Sequence, residues 1–309
     1  MINRTLAKEF LLLGFGGHQN IRALLFTLFF FVYVIIIFGN LLIIGLVGTN
    51  QSLHSPMYVF LSNLSFSEIM ITTNIVPNML AVILEGSKTI SFSGCLTQLF
   101  FHGLFGYMEC LYLTVMSYDR YLAVCNPLQY ISIMDVMLKR YIVLVWISSF
   151  ILVIVPLILL LQLYFCDSNV IDFFFCDLTP LLALSCSDTF KVKTEAIVSS
   201  VLVALCLFLI VSSYVCILLT IFRIPSALGR QKTFSTCSSH LLAVFFFFLT
   251  IISVYGNPTK VYSSTISKLQ SLLYVLGTPF FNPIIYTLRN KEIKSVLHKL
   301  KNSLKNRNH

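Results

Sequence analysis

Residues 23–47 read ALLFTLFFFVYVIIIFGNLLIIGLV, an unbroken stretch without Lys, Arg, Asp or Glu. A helix needs roughly 20 mainly apolar residues to cross a bilayer, and this stretch is long enough by itself. The pattern recurs. Residues 141–163, 196–222 and 269–288 are equally free of charge, residues 57–84 hold only Glu68, and residues 96–118 hold only Glu109. Residues 241–257 are shorter, and the uncharged 233–240 extend them. Backbone groups in hydrocarbon must be satisfied within the chain, so these segments are expected to be helices. A membrane β-barrel would instead show alternating segments of about 10 residues, a pattern the sequence lacks.

The composition agrees. The chain of 309 residues is 57% hydrophobic and 11% charged, with a mean hydropathy of +0.89. Soluble domains carry about 25% charged residues, and a water-soluble fold could not hide this much apolar surface. The expected fold is an all-α integral membrane protein, a seven-transmembrane helix bundle over residues 23–288. Residues 1–22 form an extracellular N-terminal tail, and 289–309 a cytoplasmic amphipathic helix and tail. In that tail Ile293, Val296, Leu297, Leu300 and Leu304 fall at helical spacing between lysines, the pattern of a short helix lying on a membrane face. The first span is expected to serve as its own insertion signal, because the earlier apolar run, residues 10–15, is too short for the core of a leader.

Seven spans put the termini on opposite sides. With the N-terminus outside, the inner face gathers Arg120, Lys139, Arg140, Arg223, Arg230, Lys232 and the basic tail, as the positive-inside rule requires. The formal charge of +9 is then mostly a property of that face, and anionic lipid rather than nucleic acid is its expected partner. Asn3-Arg4-Thr5 is a glycosylation sequon on the outer tail. Of the nine cysteines, Cys95, Cys166, Cys176 and Cys186 fall outside, where thiols oxidise. Four cysteines permit three pairings, and spacing does not choose among them.

Two motifs stand at the inner ends of helices. Tyr118-Asp119-Arg120-Tyr121-Leu122-Ala123-Val124-Cys125 closes the third span, and Asn282-Pro283-Ile284-Ile285-Tyr286 lies in the seventh. Both resemble signatures of rhodopsin-like G-protein-coupled receptors, and Gly39-Asn40 in the first span agrees. Finer matches lie in Pro56-Met57-Tyr58-Val59-Phe60-Leu61-Ser62-Asn63-Leu64-Ser65, in Lys232-Thr233-Phe234-Ser235-Thr236-Cys237-Ser238-Ser239-His240-Leu241, in Leu288-Arg289-Asn290-Lys291-Glu292 and in Phe10-Leu11-Leu12-Leu13-Gly14-Phe15. Together they resemble the olfactory receptors of the tetrapod-type class over essentially the whole chain. There are departures. Phe247-Phe248-Leu249 stands where that family commonly has Phe-Tyr-Gly, Glu68 where it often has Asp, and Ser117 and Gln129 where Ala and His are common.

The resemblance implies an odorant receptor of the plasma membrane, binding small volatile, mostly apolar molecules. It implies coupling to a heterotrimeric stimulatory G protein that raises cyclic AMP. It implies disulfides Cys95–Cys176 and Cys166–Cys186. It places ligand contacts at His102, Gly103, Gly106 and Tyr107 of the third span, Val198, Ser199, Leu202 and Val203 of the fifth, and Phe248, Ile251, Ile252 and Tyr255 of the sixth. It assigns coupling and switching to Asp119, Arg120, Tyr121, Tyr214, Asn282, Pro283 and Tyr286. Glu68 and Glu109 are the acids deep within spans. Such residues are costly and usually functional, and with Asn40 and Asn282 they are expected to hold a sodium ion or a proton; no other cofactor is expected.

Other classes fit less well. A retinal protein needs a lysine within the last span, and residues 269–288 have none. A transporter would show an internal repeat. No nucleophile–base pair, zinc motif or phosphate loop suggests an enzyme. A rhodopsin-like receptor for another small molecule or a peptide is the nearer alternative, although the third span offers His102 where amine receptors use a carboxylate.

Overall fold

A computed structural model describes residues 8–16, 18–165, 169–256 and 265–307. Its helices are α1 (Gln19–Thr49), α2 (Pro56–Glu85), α3 (Phe92–Cys125), α4 (Pro127–Leu160), the short α5 (Leu178–Ala183), α6 (Phe190–Arg223), α7 (Ala227–Tyr255), α8 (Thr265–Leu272), α9 (Thr278–Arg289) and α10 (Lys291–Arg307). Six of these are each long and apolar enough to cross a membrane. The seventh span is α8 continued into α9 through a π-helical turn, Leu273–Gly277, after which the chain bends by 73° into α10.

Local chemistry sets the boundaries. Pro56 and Pro127 open α2 and α4 at a position where a missing N–H costs nothing. The Ser91 hydroxyl caps α3 by accepting from the Gly94 amide at 3.1 Å. Gly86 ends α2 with φ +89°, a left-handed cap that glycine adopts without penalty. Some helices exceed the apolar runs: α4 begins at Pro127 rather than 141, and α6 at Phe190 rather than 196. Hydropathy marks what lies in lipid, whereas the helical hydrogen-bond ladder continues past the lipid boundary.

A small three-stranded sheet, which no residue pattern announces, stands at one end of the bundle. Strand β1 (Glu9–Leu13) pairs antiparallel with β2 (Ser87–Ser91), Leu11 facing Thr89, and parallel with β3 (Val170–Ile171). Phe10 and Leu12 point inward and are fully buried, as period-2 alternation requires. We call this end of the bundle the cap end, and the other the Arg120 end. In α10, Ile293 and Val296 are buried while Leu300 is exposed; Leu304 lies outside the described side chains, as Asn3 lies outside the described residues.

Candidate ligand cavity and switch region

Near the cap end the bundle encloses a cavity of about 480 Å³. Helix α3 supplies His102, Gly103, Gly106 and Tyr107, one face at helical spacing. The glycines make room. A Cβ at Gly103 would stand 2.7 Å from Val153 of α4, and one at Gly106 2.9 Å from the Tyr274 hydroxyl. Neighbouring spans therefore approach α3 more closely than any side chain would permit. Ser199 and Val203 of α6, and Phe248, Ile251, Ile252 and Tyr255 of α7, complete the expected wall.

Two expected residues are elsewhere. Val198 is 54% exposed and turns away from the bundle, and Leu202 lines a separate recess among α3, α4 and α6. A helix advances about 100° per residue, and α6 turns Ser199, Ser200, Val203 and Ala204 to the cavity, which leaves Val198 and Leu202 beyond the edge of that arc.

The cavity is mostly apolar, with polar groups in two corners. In the first, His102 is buried, its ring against Phe175 and Tyr274. Its Nε2 is 3.5 Å from the Tyr255 hydroxyl, which is in turn 3.5 Å from Oδ2 of Asp177; His102 Nδ1 has no partner. Both distances are at the outer limit of a hydrogen bond. Asp177 also caps α5, accepting from the Leu178 amide at 2.7 Å. Burial pushes the Asp177 carboxyl up to about 6, against the pull of the Leu178 amide and Tyr255. In the second corner Ser199 donates to Glu195 at 2.7 Å, with Tyr107 beside it. Asp177, Glu195 and Tyr274 were not among the expected contacts. Asp177 adjoins Cys176, so fixing that cysteine over the cavity brings the carboxylate with it.

The loop is firmly held. Cys95 and Cys176 form a disulfide, and the Cys176 amide donates to Gln98 Oε1 at 2.9 Å. Phe173, Phe174 and Phe175 are buried beneath the sheet. Lys268 of α8 donates to Asp172 at 2.5 Å and to the Gly14 carbonyl at 2.9 Å, joining loop, tail strand and seventh span. Cys186 is also disulfide-bonded; its expected partner, Cys166, lies outside the described residues.

At mid-depth Glu68 and Glu109 are both buried. Asn282 donates to Glu68, and Asn40 donates to the Pro279 carbonyl at 3.3 Å. Four oxygens there, Oδ1 of Asn40, Oε2 of Glu68, Oε1 of Glu109 and Oδ1 of Asn282, are buried without a partner.

At the Arg120 end the Asp119 carboxylate has both oxygens engaged. Arg120 Nε donates to Asp119 Oδ2 at 2.8 Å, and a second guanidinium contact closes the pair. Tyr130 donates to the other Asp119 oxygen at 2.8 Å. Tyr121 is half-buried and stacks on Tyr118. The Tyr214 hydroxyl meets His240 Nδ1 at 2.6 Å, linking α6 to α7. Pro283 packs on Gly39, where a Cβ would approach to 3.0 Å. Tyr286 is fully buried, its hydroxyl unpartnered. The Phe-Phe-Leu departure in α7 is accommodated: Phe248 faces the cavity, and Leu249 is 50% exposed on the bundle surface.

Comparison with known proteins fits this geometry. Squid rhodopsin superposes with a TM-score of 0.73 at 17% identity, covering 92% of this chain and 82% of that one; at that identity the likeness concerns the fold. Human olfactory receptor 11H4 is 45% identical over 94% of this chain and 90% of its own length. Human olfactory receptor 6F1 is 45% identical over 96% of this chain and 97% of its own length, and human olfactory receptor 1M1 is 42% identical over 97% and 96%. The olfactory receptor family model matches residues 29–303. The chain is thus a multi-pass membrane protein and not an enzyme: it belongs to the olfactory receptor family of G-protein-coupled receptors.

Proposed function

We propose that the cavity binds a small, mostly apolar odorant with a hydrogen-bond donor at one end, and that the bound receptor activates a stimulatory G protein to raise cyclic AMP. The chain works in the plasma membrane with its N-terminus outside. The observation behind this reading is the loose His102–Tyr255–Asp177 corner in an otherwise apolar cavity. Small-molecule sites combine such apolar walls with a few converging polar groups. A donor on the ligand would fill the over-long gaps, and the apolar walls would bury its body. The ten expected contact residues on the wall are proposed as ligand contacts on this basis.

Arg120, held by Asp119 and facing the G-protein side, is proposed as the coupling residue. Binding shifts a pre-existing equilibrium toward a state in which Arg120 is free of Asp119. The four unpartnered oxygens at mid-depth suit a hard monovalent cation, which oxygen ligands hold, or a proton shared by Glu68 and Glu109. Such an ion would offset one of the two carboxylate charges and brace the first, second, third and seventh spans.

The test is a cyclic-AMP response to an odorant panel in cells co-expressing a stimulatory G protein. A dose-dependent response that disappears in Arg120→Ala at unchanged surface expression is expected. Full signalling by that variant would remove Arg120 from the coupling role.

A further inference from the structure

We infer that the ligand cavity exchanges its occupant with the bilayer through a lateral window between α4 and α6. The inference rests on reading the cavity as the ligand site. Ser200 and Ala204 line the cavity and are also exposed. A cavity-lining residue is exposed where the wall beside it is open or one side chain thick. With Ala196, one turn earlier, they form a strip of small residues on α6, and Pro156 and Leu157 face the cavity from α4. The Ser200 hydroxyl donates to its own helix, to the Ala196 carbonyl at 2.8 Å. The strip therefore offers no free hydrogen-bond donor to a passing molecule.

A second observation marks the same seam. Farther along it lies an apolar recess of about 400 Å³ among α3, α4 and α6. Tyr107, Cys110 and Val203 belong to both its wall and that of the cavity. Its rim includes Ile151, Leu205 and Leu209, each about half exposed on the lipid-facing surface. The recess is thus a lipid-side antechamber with the cavity behind its inner wall. Its occupant is the lipophilic ligand itself, because apolar molecules collect in the acyl region for the same reason they leave water.

The cap end is closed differently. There the disulfide, the Gln98 hydrogen bond and the Lys268 bridge fix the loop over the cavity. Entry past those residues requires breaking directional contacts, whereas entry through the window requires rotamer changes of apolar side chains.

The probe is a decanol carrying a mid-chain diazirine, dissolved at low mole fraction in nanodiscs holding the full-length receptor, irradiated and mapped by mass spectrometry. Insertion into cavity residues such as Tyr107 and Phe248 is expected in the unaltered protein. Filling a close-packed wall should cut it about tenfold in Ser200→Trp and in Ala204→Phe. Labelling of the lipid-facing Phe38 should stay constant, and an intact Cys95–Cys176 bridge certifies the fold; Ala204→Phe keeps the test valid should Ser200→Trp not fold. Equal cavity labelling in the folded bulky variants, or none in the unaltered protein, overturns the window. A labelled cavity with no cyclic-AMP response would instead count against the odorant reading and leave the window standing.

Discussion

The polar corner beside His102 and the Asp119–Arg120 pair, at opposite ends of the bundle, hold their buried polar groups in opposite ways. At the cap end His102, Tyr255 and Asp177 stand 3.5 Å apart, with one imidazole nitrogen unpartnered. At the Arg120 end Asp119 is fully engaged, by Arg120 and by Tyr130 at 2.8 Å. Unmet polar groups in a buried site cost free energy until something meets them, so the cap end gains from an added ligand. The Asp119–Arg120 pair is already satisfied and must lose contacts to change. On the proposed function the difference gives a direction: a ligand is taken up where bonding is loose, and its binding opens what is tight.

The largest expected effect breaks the tight end. Asp119→Asn removes the charge that holds Arg120, and basal cyclic AMP in the absence of any odorant should rise severalfold. Unchanged basal output at normal surface expression would show that the pair is not the restraint. Weakening the loose end should cost less. His102→Leu deletes one hydrogen-bonding partner and should raise the half-effective concentration of an active donor odorant about tenfold, or ~1.4 kcal/mol, with the maximal response preserved. An unaltered dose–response curve would take His102 out of the polar corner.

The smallest effect concerns acidity. Asp177 is raised from its ordinary 3.8 to about 6, so the fold favours its protonated form. That contribution to stability is complete below the ordinary value and is lost as pH rises through about 6. Acidification therefore does not weaken the cap, but it removes the charge that accepts a ligand's donor. Potency of a donor odorant should fall severalfold between pH 7 and about 5, and Asp177→Asn should flatten that dependence. A slope that survives the substitution would place the titrating group elsewhere.

The spans, the two inner-end motifs and the polar cluster at mid-depth were legible from residue order, since each depends on local composition or on a motif. The sheet was not. Residues 10–15 read as an apolar run, and only pairing with segments that lie 74 or more residues away makes Glu9–Leu13 a strand. The cavity was half legible. Helical spacing placed His102, Gly103, Gly106 and Tyr107 on one face, but it did not fix the rotation of α6, so Val198 and Leu202 were assigned to a wall they do not form.

By itself the sequence determined that this chain lives in a membrane, crosses it as helices and carries the motifs of a receptor family, because lipid forbids the alternatives and the motifs are contiguous. The tertiary structure alone decided that Asp177 and Glu195 bring carboxylates to the cavity, that Lys268 ties the tail strand to the loop, and that the wall thins at Ser200 and Ala204. Those properties arise where separate helices and loops meet, and burial and contact between distant segments depend on how the spans are rotated and packed.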